Sequence, residues 1–249
     1  TLNRPHNGNA LTGSLLEELE AGLLSLAGEP GVRCVVIRGA GDRAFSLGMD
    51  LMAMSVCTPE ENQALIGAGG PLRRAIEAIE SFPYPVIAMV QGYAAGAACE
   101  LALSCDIRTG SGRTRMGMPP ARLGMAYPPE GLERFVRKLG FARASRVFLT
   151  AKYFEADELY AMGLLDFLCG DELEGFTMEL ARSVSRKAPR SMKAHKRTLR
   201  EIASSPGGVL DDAARAGVNE LVAQTMRSSD AEEGIRAFLE KRSPEFTGE

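Results

Sequence analysis

The chain has 249 residues, 45% of them hydrophobic and 24% charged, with a formal net charge of −3. That length suits one large domain, or one with an appended helical arm. The near-neutral charge, with no interleaving of aromatic and basic residues, argues against a nucleic-acid footprint. No uninterrupted apolar run is long enough to cross a bilayer. The five cysteines are odd in number and scattered without a Cys-x-x-Cys pair, and neither His6 nor His195 has a ligand-spaced partner. This points away from a metal site and towards a reducing, cytoplasmic compartment, with Cys34, Cys99 and Cys105 as buried thiols.

The chain opens on Thr1-Leu-Asn-Arg-Pro5 without an initiator Met, which reads as a trimmed terminus lacking a first strand. Leu15, Leu16, Leu19, Leu23 and Leu26 share one face of an amphipathic helix over 12–27, with Thr12 as its N-cap. Residues 31–39 read as a short buried strand. Thr58-Pro-Glu-Glu61 has the cap, first-position Pro and first-turn acids of a helix start. That helix runs to residue 81, with a break over 67–71. Pro83 and Pro85 lead into a buried strand over 86–90, a tight turn of small residues over 92–98, and a short helix over 97–104. A strand over 107–111 follows, then helices from Pro128-Pro129 through 138 and over 141–149. A short helix over 155–162, ending at Gly163, precedes a last strand over 164–168. Beyond Asp171 the pattern is almost all helical: 172–187, 189–204, 208–227 and 230–242. The expected organisation is an α/β core over 1–187 and a C-terminal helical region over 188–249.

The chemistry concentrates between Val86 and Asp106, where the short helix carries Glu100 in its first turn. Backbone N–H groups at a helix start are unpaired and partly positive, so they can hold a polarised carbonyl oxygen. A carboxylate one turn away sets a possible base beside that oxyanion stabiliser. Other motifs carry less. Gly39-Ala-Gly-Asp-Arg-Ala44 fits a dinucleotide fingerprint, but the residues after it do not open a helix. Ala44-Phe-Ser-Leu-Gly48 lacks the first glycine of a nucleophile elbow. Lys193, His195, Lys196, Arg197 and Arg200 form a basic run that reads as a solvated helix face or, more sharply, as a contact to substrate phosphates. Met49, Met52, Met54, Met116, Met118 and Met125 suit either an adaptable apolar pocket or the core.

Five strings, in order, resemble the crotonase (enoyl-CoA hydratase/isomerase) superfamily across the whole chain. Asn3-Arg-Pro-His-Asn-Gly-Asn-Ala-Leu11 resembles its opening N-R-P…N-A-L. Ala44-Phe-Ser-Leu-Gly-Met-Asp-Leu51 resembles its F-[SC]-x-G-x-D-[LI]. The run from Gly92 to Asp106 resembles its G-x-x-x-G-G-G-x-E-L block. Leu149-Thr-Ala151 with Gly163-Leu-Leu165 follows its later pattern, and Glu233 to Arg242 resembles E-G-x-x-A-F-x-E-K-R.

The resemblance implies an α/β spiral of ββα units with a C-terminal helical trimerisation region, assembled as a homotrimer or a dimer of trimers. It implies an acyl-CoA thioester substrate, with no cofactor beyond that coenzyme A. By position the oxyanion-hole N–H groups fall on Met49 and Ala97, and the first family carboxylate on Glu100. Asn9, Ala10, Asp50 and Leu51 would contact the adenine and pantetheine, with Phe238 and Lys241 of the C-terminal helix near the adenine and 3′-phosphate. Family hydratases carry a second acid where this chain has Pro120, and proline transfers no proton. Glu130 and Tyr127 are the residues that could compensate. Tyr127 and Pro120 are also shared with the methylmalonyl-CoA decarboxylase branch, although that branch has a His where this chain has Met49. The leading expectation is an enoyl-CoA hydratase or isomerase with Glu100 as general acid/base. The alternatives are a malonyl-type acyl-CoA decarboxylase using Tyr127, and a non-catalytic acyl-CoA- or RNA-binding relative.

Overall fold

A computed structural model describes residues 1–249. The first helix, α1 (Gly13–Ala27), starts where the Thr12 side chain accepts the Leu15 N–H at 3.3 Å. Next come β1 (Val35–Arg38), β2 (Ala44–Ser46), α2 (Leu51–Met54), α3 (Pro59–Ile66) and α4 (Pro71–Ser81). The centre holds β3 (Val86–Val90), β4 (Tyr93–Ala95), α5 (Ala97–Ser104), β5 (Ile107–Ser111) and β6 (Arg115–Gly117). They are followed by α6 (Pro129–Leu139), α7 (Phe141–Thr150), β7 (Tyr153–Glu155), α8 (Ala156–Met162) and β8 (Phe167–Cys169). The chain closes with α9 (Leu173–Ser185), α10 (Pro189–Ser204), α11 (Asp212–Met226) and α12 (Ser229–Leu239). No helix is long and apolar enough to cross a membrane.

Two four-stranded sheets organise these elements, in the orders β1-β3-β5-β8 and β2-β4-β6-β7. The strand pairs β1-β2, β3-β4 and β5-β6 each give their first strand to one sheet and their second to the other, and helices follow each pair. That is a spiral of ββα units. The β3–β5–β8 pairings are parallel, and β7 runs antiparallel to β6. Sequence reading found the first sheet but took 92–98 as a turn and assigned no strand to 44–46 or 153–155. Those strands are three residues long, too short to show a two-residue alternation, and only ladder pairing such as Ala95↔Gly117↔Tyr153 identifies them.

Three boundaries also differ. Leu164 and Leu165 are buried but do not form a strand. The Leu164 N–H bonds back to the Leu159 carbonyl at 2.9 Å, so they close the end of α8 behind the left-handed Gly163. The helix expected from 208 begins at Asp212, because Gly207 and Gly208 take positive φ and Asp211 supplies the cap. Lys241, expected on the last helix, lies past its end with φ 55. The other local signals match, including the Thr58–Glu61 capping box and the interruption between α3 and α4.

The chain divides into two compact units. The first comprises Thr1–Pro30, Val36–Phe82 and Val86–Met178, and the second Gly31–Val35, Pro83–Pro85 and Glu179–Glu249. The first unit is built on β3, wholly buried, with Leu72, Ile76 and Ile79 of α4, every residue of α5, and Phe135 and Phe154. In the second unit the C-terminal tail folds back on α12. Asp230, 3% exposed, accepts the Thr247 and Gly248 N–H groups, and Arg190 bonds the Gly248 carbonyl. Lys196 is buried on the Tyr84 carbonyl at 2.9 Å, so that stretch of α10 is not the uniformly solvated face its charges suggest. All five cysteines are free; Cys99 and Cys105 are buried and Cys34 is only half-buried.

Candidate active site

Gly48 and Gly96 place two backbone donors near each other. Gly48 has φ +88, and a Cβ there would lie 2.5 Å from the Ala95 carbonyl oxygen and 3.7 Å from the Ala97 nitrogen. Only glycine lets the loop after β2 press against the β4–α5 junction in this way. Gly96, at φ 53, turns the chain so that α5 begins at Ala97. Because Gly96 takes the positive φ, alanine at 97 and 98 costs nothing. The Leu11 N–H bonds the Gly48 carbonyl and the Asp50 N–H bonds the Leu11 carbonyl, which leaves the Met49 N–H between them without an acceptor. The Ala97 N–H, at the helix start, also has none. Met49 and Ala97 both line a cavity of about 450 Å³.

The cavity walls are largely apolar, with Met49, Leu51, Met54, Ile66, Pro119, Pro120, Leu123 and Met125. Its other polar members are Arg122, Tyr127 and Tyr153. Of the remaining methionines, Met116 and Met118 belong to the core and Met52 is 80% exposed. Pro120 does line the cavity, at the position where a family acid would stand.

Glu100 does not line it. It is fully buried, and its carboxylate accepts four hydrogen bonds. Arg73 of α4 grips it with both terminal nitrogens at 2.5 Å, Arg134 of α6 adds a third bond at 2.6 Å, and the Tyr127 hydroxyl donates the fourth. Each oxygen takes two donors, which fills the roughly four lone-pair sites a carboxylate has. Burial works against the Arg73 charge, but the bonds to Glu100 outweigh it and raise its pKa above the usual value. Arg134 is also bound to Glu80 at 2.8 Å. Burial first, and then the charge of Glu100, push the Tyr127 phenol well above its ordinary pKa, so it stays an O–H donor. Tyr127 therefore links the cavity to Glu100, which has no direct access to it.

Glu130, in the first turn of α6, is half-buried and does not line the cavity. Its Oε2 is buried without a hydrogen-bond partner, and its charge reinforces that of Arg73. Beside it, a Cβ on Gly131 would lie 2.3 Å from the Tyr127 ring and 3.2 Å from Glu100, so glycine lets α6 approach both. Asn9, at φ 56, clamps the Ala40 and Ala44 carbonyls, and Arg4 bonds the Ala10 carbonyl and the Asp50 carboxylate. Asp50 caps α2 and has its pKa lowered, chiefly by the Arg4 bond. Leu51 lines the cavity. Phe238, 82% exposed, and Lys241 belong to the second unit.

Sequence reasoning brought Met49, Ala97 and Tyr127 to this site but missed Arg73, Arg134, Gly131 and Arg122. A signal existed for the two caging arginines. Arg73 lies among Leu72, Ile76 and Ile79, and Arg134 between Gly131 and Phe135, so each is a cation inside the buried stripe of its helix. Such a cation needs a buried partner.

A family model described as Enoyl-CoA hydratase/isomerase matches residues 1–249. The chain is 31% identical to the methylmalonyl-CoA decarboxylase of Escherichia coli (strain K12) over 242 residues, covering 96% of this chain and 90% of that protein. It is 32% identical to the short-chain-enoyl-CoA hydratase of Clostridium acetobutylicum over 247 residues, covering 98% and 92%. The crystal structure of an enoyl-CoA hydratase from Bacillus anthracis superposes with a TM-score of 0.89 at 29% identity, covering 99% of this chain and 93% of that one.

Proposed function

Because this chain belongs to the enoyl-CoA hydratase/isomerase family of acyl-CoA enzymes, we propose that it decarboxylates a malonyl-type acyl-CoA thioester. The observation that carries this is the absence of any carboxylate from the cavity lining. Hydration by paired acids needs two carboxylates facing the substrate, whereas Pro120 stands at one position and Glu100 is saturated behind Tyr127. Loss of CO₂ needs no base. The bond between the α-carbon and the carboxylate breaks, its electron pair passes into the thioester, and an enolate remains. The Met49 and Ala97 N–H groups hold the enolate oxygen; removing one such donor typically costs about 2.7–4 kcal/mol of transition-state stabilisation. Water or the Tyr127 hydroxyl returns a proton to the α-carbon. Glu100 then anchors Tyr127 and does not itself move the proton. The 31% identity to the methylmalonyl-CoA decarboxylase of E. coli supports the same reading.

The other reading keeps Glu100 as the base for hydrating a 2-enoyl-CoA or shifting its double bond, and it requires Tyr127 to swing off the carboxylate. A panel of methylmalonyl-CoA, crotonyl-CoA and a 3-enoyl-CoA separates the two. We expect CO₂ release from the first and no hydration or isomerisation of the others. Turnover of crotonyl-CoA or the 3-enoyl-CoA that disappears in Glu100→Gln would reject decarboxylation. Binding without turnover on any member would favour a non-catalytic relative. Asn9, Ala10, Asp50, Leu51, Phe238 and Lys241 as coenzyme A contacts, and the trimer or paired trimers, belong to the same proposal through the family resemblance.

A further inference from the structure

Arg122 is the one side chain of fixed charge that lines the cavity. It stands on a single 3-10 turn, Pro120–Leu123, which the left-handed Gly124 closes. Bonds from Arg122 N–H to the Pro119 carbonyl at 2.9 Å and from Met125 N–H to the Pro120 carbonyl at 3.1 Å hold that turn. Arg38, Arg73, Arg108, Arg134 and Arg146 each hold a carboxylate. Arg122 holds none, and its guanidinium makes no hydrogen bond within the chain.

Tyr153 is its polar neighbour. In the register Ala95↔Gly117↔Tyr153 it stands two strands from Ala95, about 10 Å at strand spacing. The residue between them is glycine, so no side chain divides the row. Burial raises the Tyr153 pKa and the charge of Arg122 opposes the rise, which keeps a neutral O–H donor beside the cation. That hydroxyl has no partner within the chain either. An unpaired guanidinium at an apolar cavity attracts anions, because low-dielectric walls focus its field, and its planar fork matches a carboxylate.

We propose that Arg122 and the Tyr153 hydroxyl form a carboxylate-binding subsite, so that the cavity selects thioesters whose acyl portion carries a carboxylate. This rests on the cavity receiving the acyl portion of an acyl-CoA, and not on which reaction follows. For a malonyl-type substrate the carboxylate is the one that leaves; for a longer diacid it stays. Since Arg122 is exposed, it recognises the anion without burying an ion pair, and ground-state stabilisation of a departing carboxylate stays small.

Calorimetric titration with succinyl-CoA and butyryl-CoA tests it, because neither is a malonyl-type substrate and they differ by a carboxylate in place of a methyl. Wild type is expected to bind succinyl-CoA about threefold to fivefold more tightly, as one exposed charge-assisted contact provides. Arg122→Gln should abolish the preference while leaving butyryl-CoA affinity within about twofold, and Arg122→Lys should retain part of it. Equal binding by wild type, or a preference surviving in Arg122→Gln, would overturn the subsite. So would equal weakening of both thioesters and of free coenzyme A in Arg122→Gln, which would assign the arginine to a phosphate. Methylmalonyl-CoA turnover is read separately. A protein that hydrates crotonyl-CoA yet keeps the carboxylate preference would end the decarboxylase reading and leave the subsite intact.

Discussion

At the residue scale, Glu100 is the most constrained group in the protein. A buried carboxylate held by a bidentate arginine, a second arginine and a tyrosine is a counter-ion whose removal leaves two guanidinium groups uncompensated. Glu100→Gln keeps the shape and removes the charge. It should destabilise the protein by about 3–5 kcal/mol, a fall of roughly 6–20 °C in Tm. Differential scanning calorimetry checks this, and an unchanged Tm would mean that the arginines do not depend on Glu100. The identity of Glu100 was legible in the sequence as a helix-start acid. Its confinement was not, because the partners stand 27 and 34 residues away on other helices.

At the element scale, α4, α5 and α6 converge on that carboxylate, while the loop after β2 and the β4–α5 turn bring up the two unpaired N–H groups. The short α2 connects the first of these to the N-terminal segment through Asp50, which caps the helix at 3.2 Å and pairs with Arg4 at 2.8 Å. The Asp50 pKa is lowered in the folded protein, so its contribution is present above the ordinary carboxylate value and is lost as pH falls through the lowered one. Asp50→Asn should therefore melt below wild type at pH 7, with the gap closing as the pH falls below the ordinary carboxylate range. Thermal melts from pH 7 to about 3 measure it, and a gap constant across that range would contradict the Arg4 pairing. Helices with caps or proline starts were readable in advance since their signals are local. The second sheet was not, since its three-residue strands are defined by their neighbours.

At the scale of the whole molecule, the second unit leaves Leu199, Met226, Ile235, Phe238 and Leu239 between 65% and 82% exposed. Apolar side chains in such number favour burial by another surface, and the family resemblance names that surface as further copies of the chain. Light scattering on the eluted protein should give three or six times the chain mass, and a monomer would reject the assembly. The sequence by itself determined the elements with local signals and the family to which five ordered motifs pointed. Only the tertiary structure decided which side chains face the cavity. Strand pairing set Tyr153 in line with Ala95, a 3-10 turn presented Arg122, and three separate helices sealed Glu100 behind Tyr127. Periodicity reports which face of an element is buried, but not which distant charge meets it there, and that meeting is what took Glu100 out of the cavity.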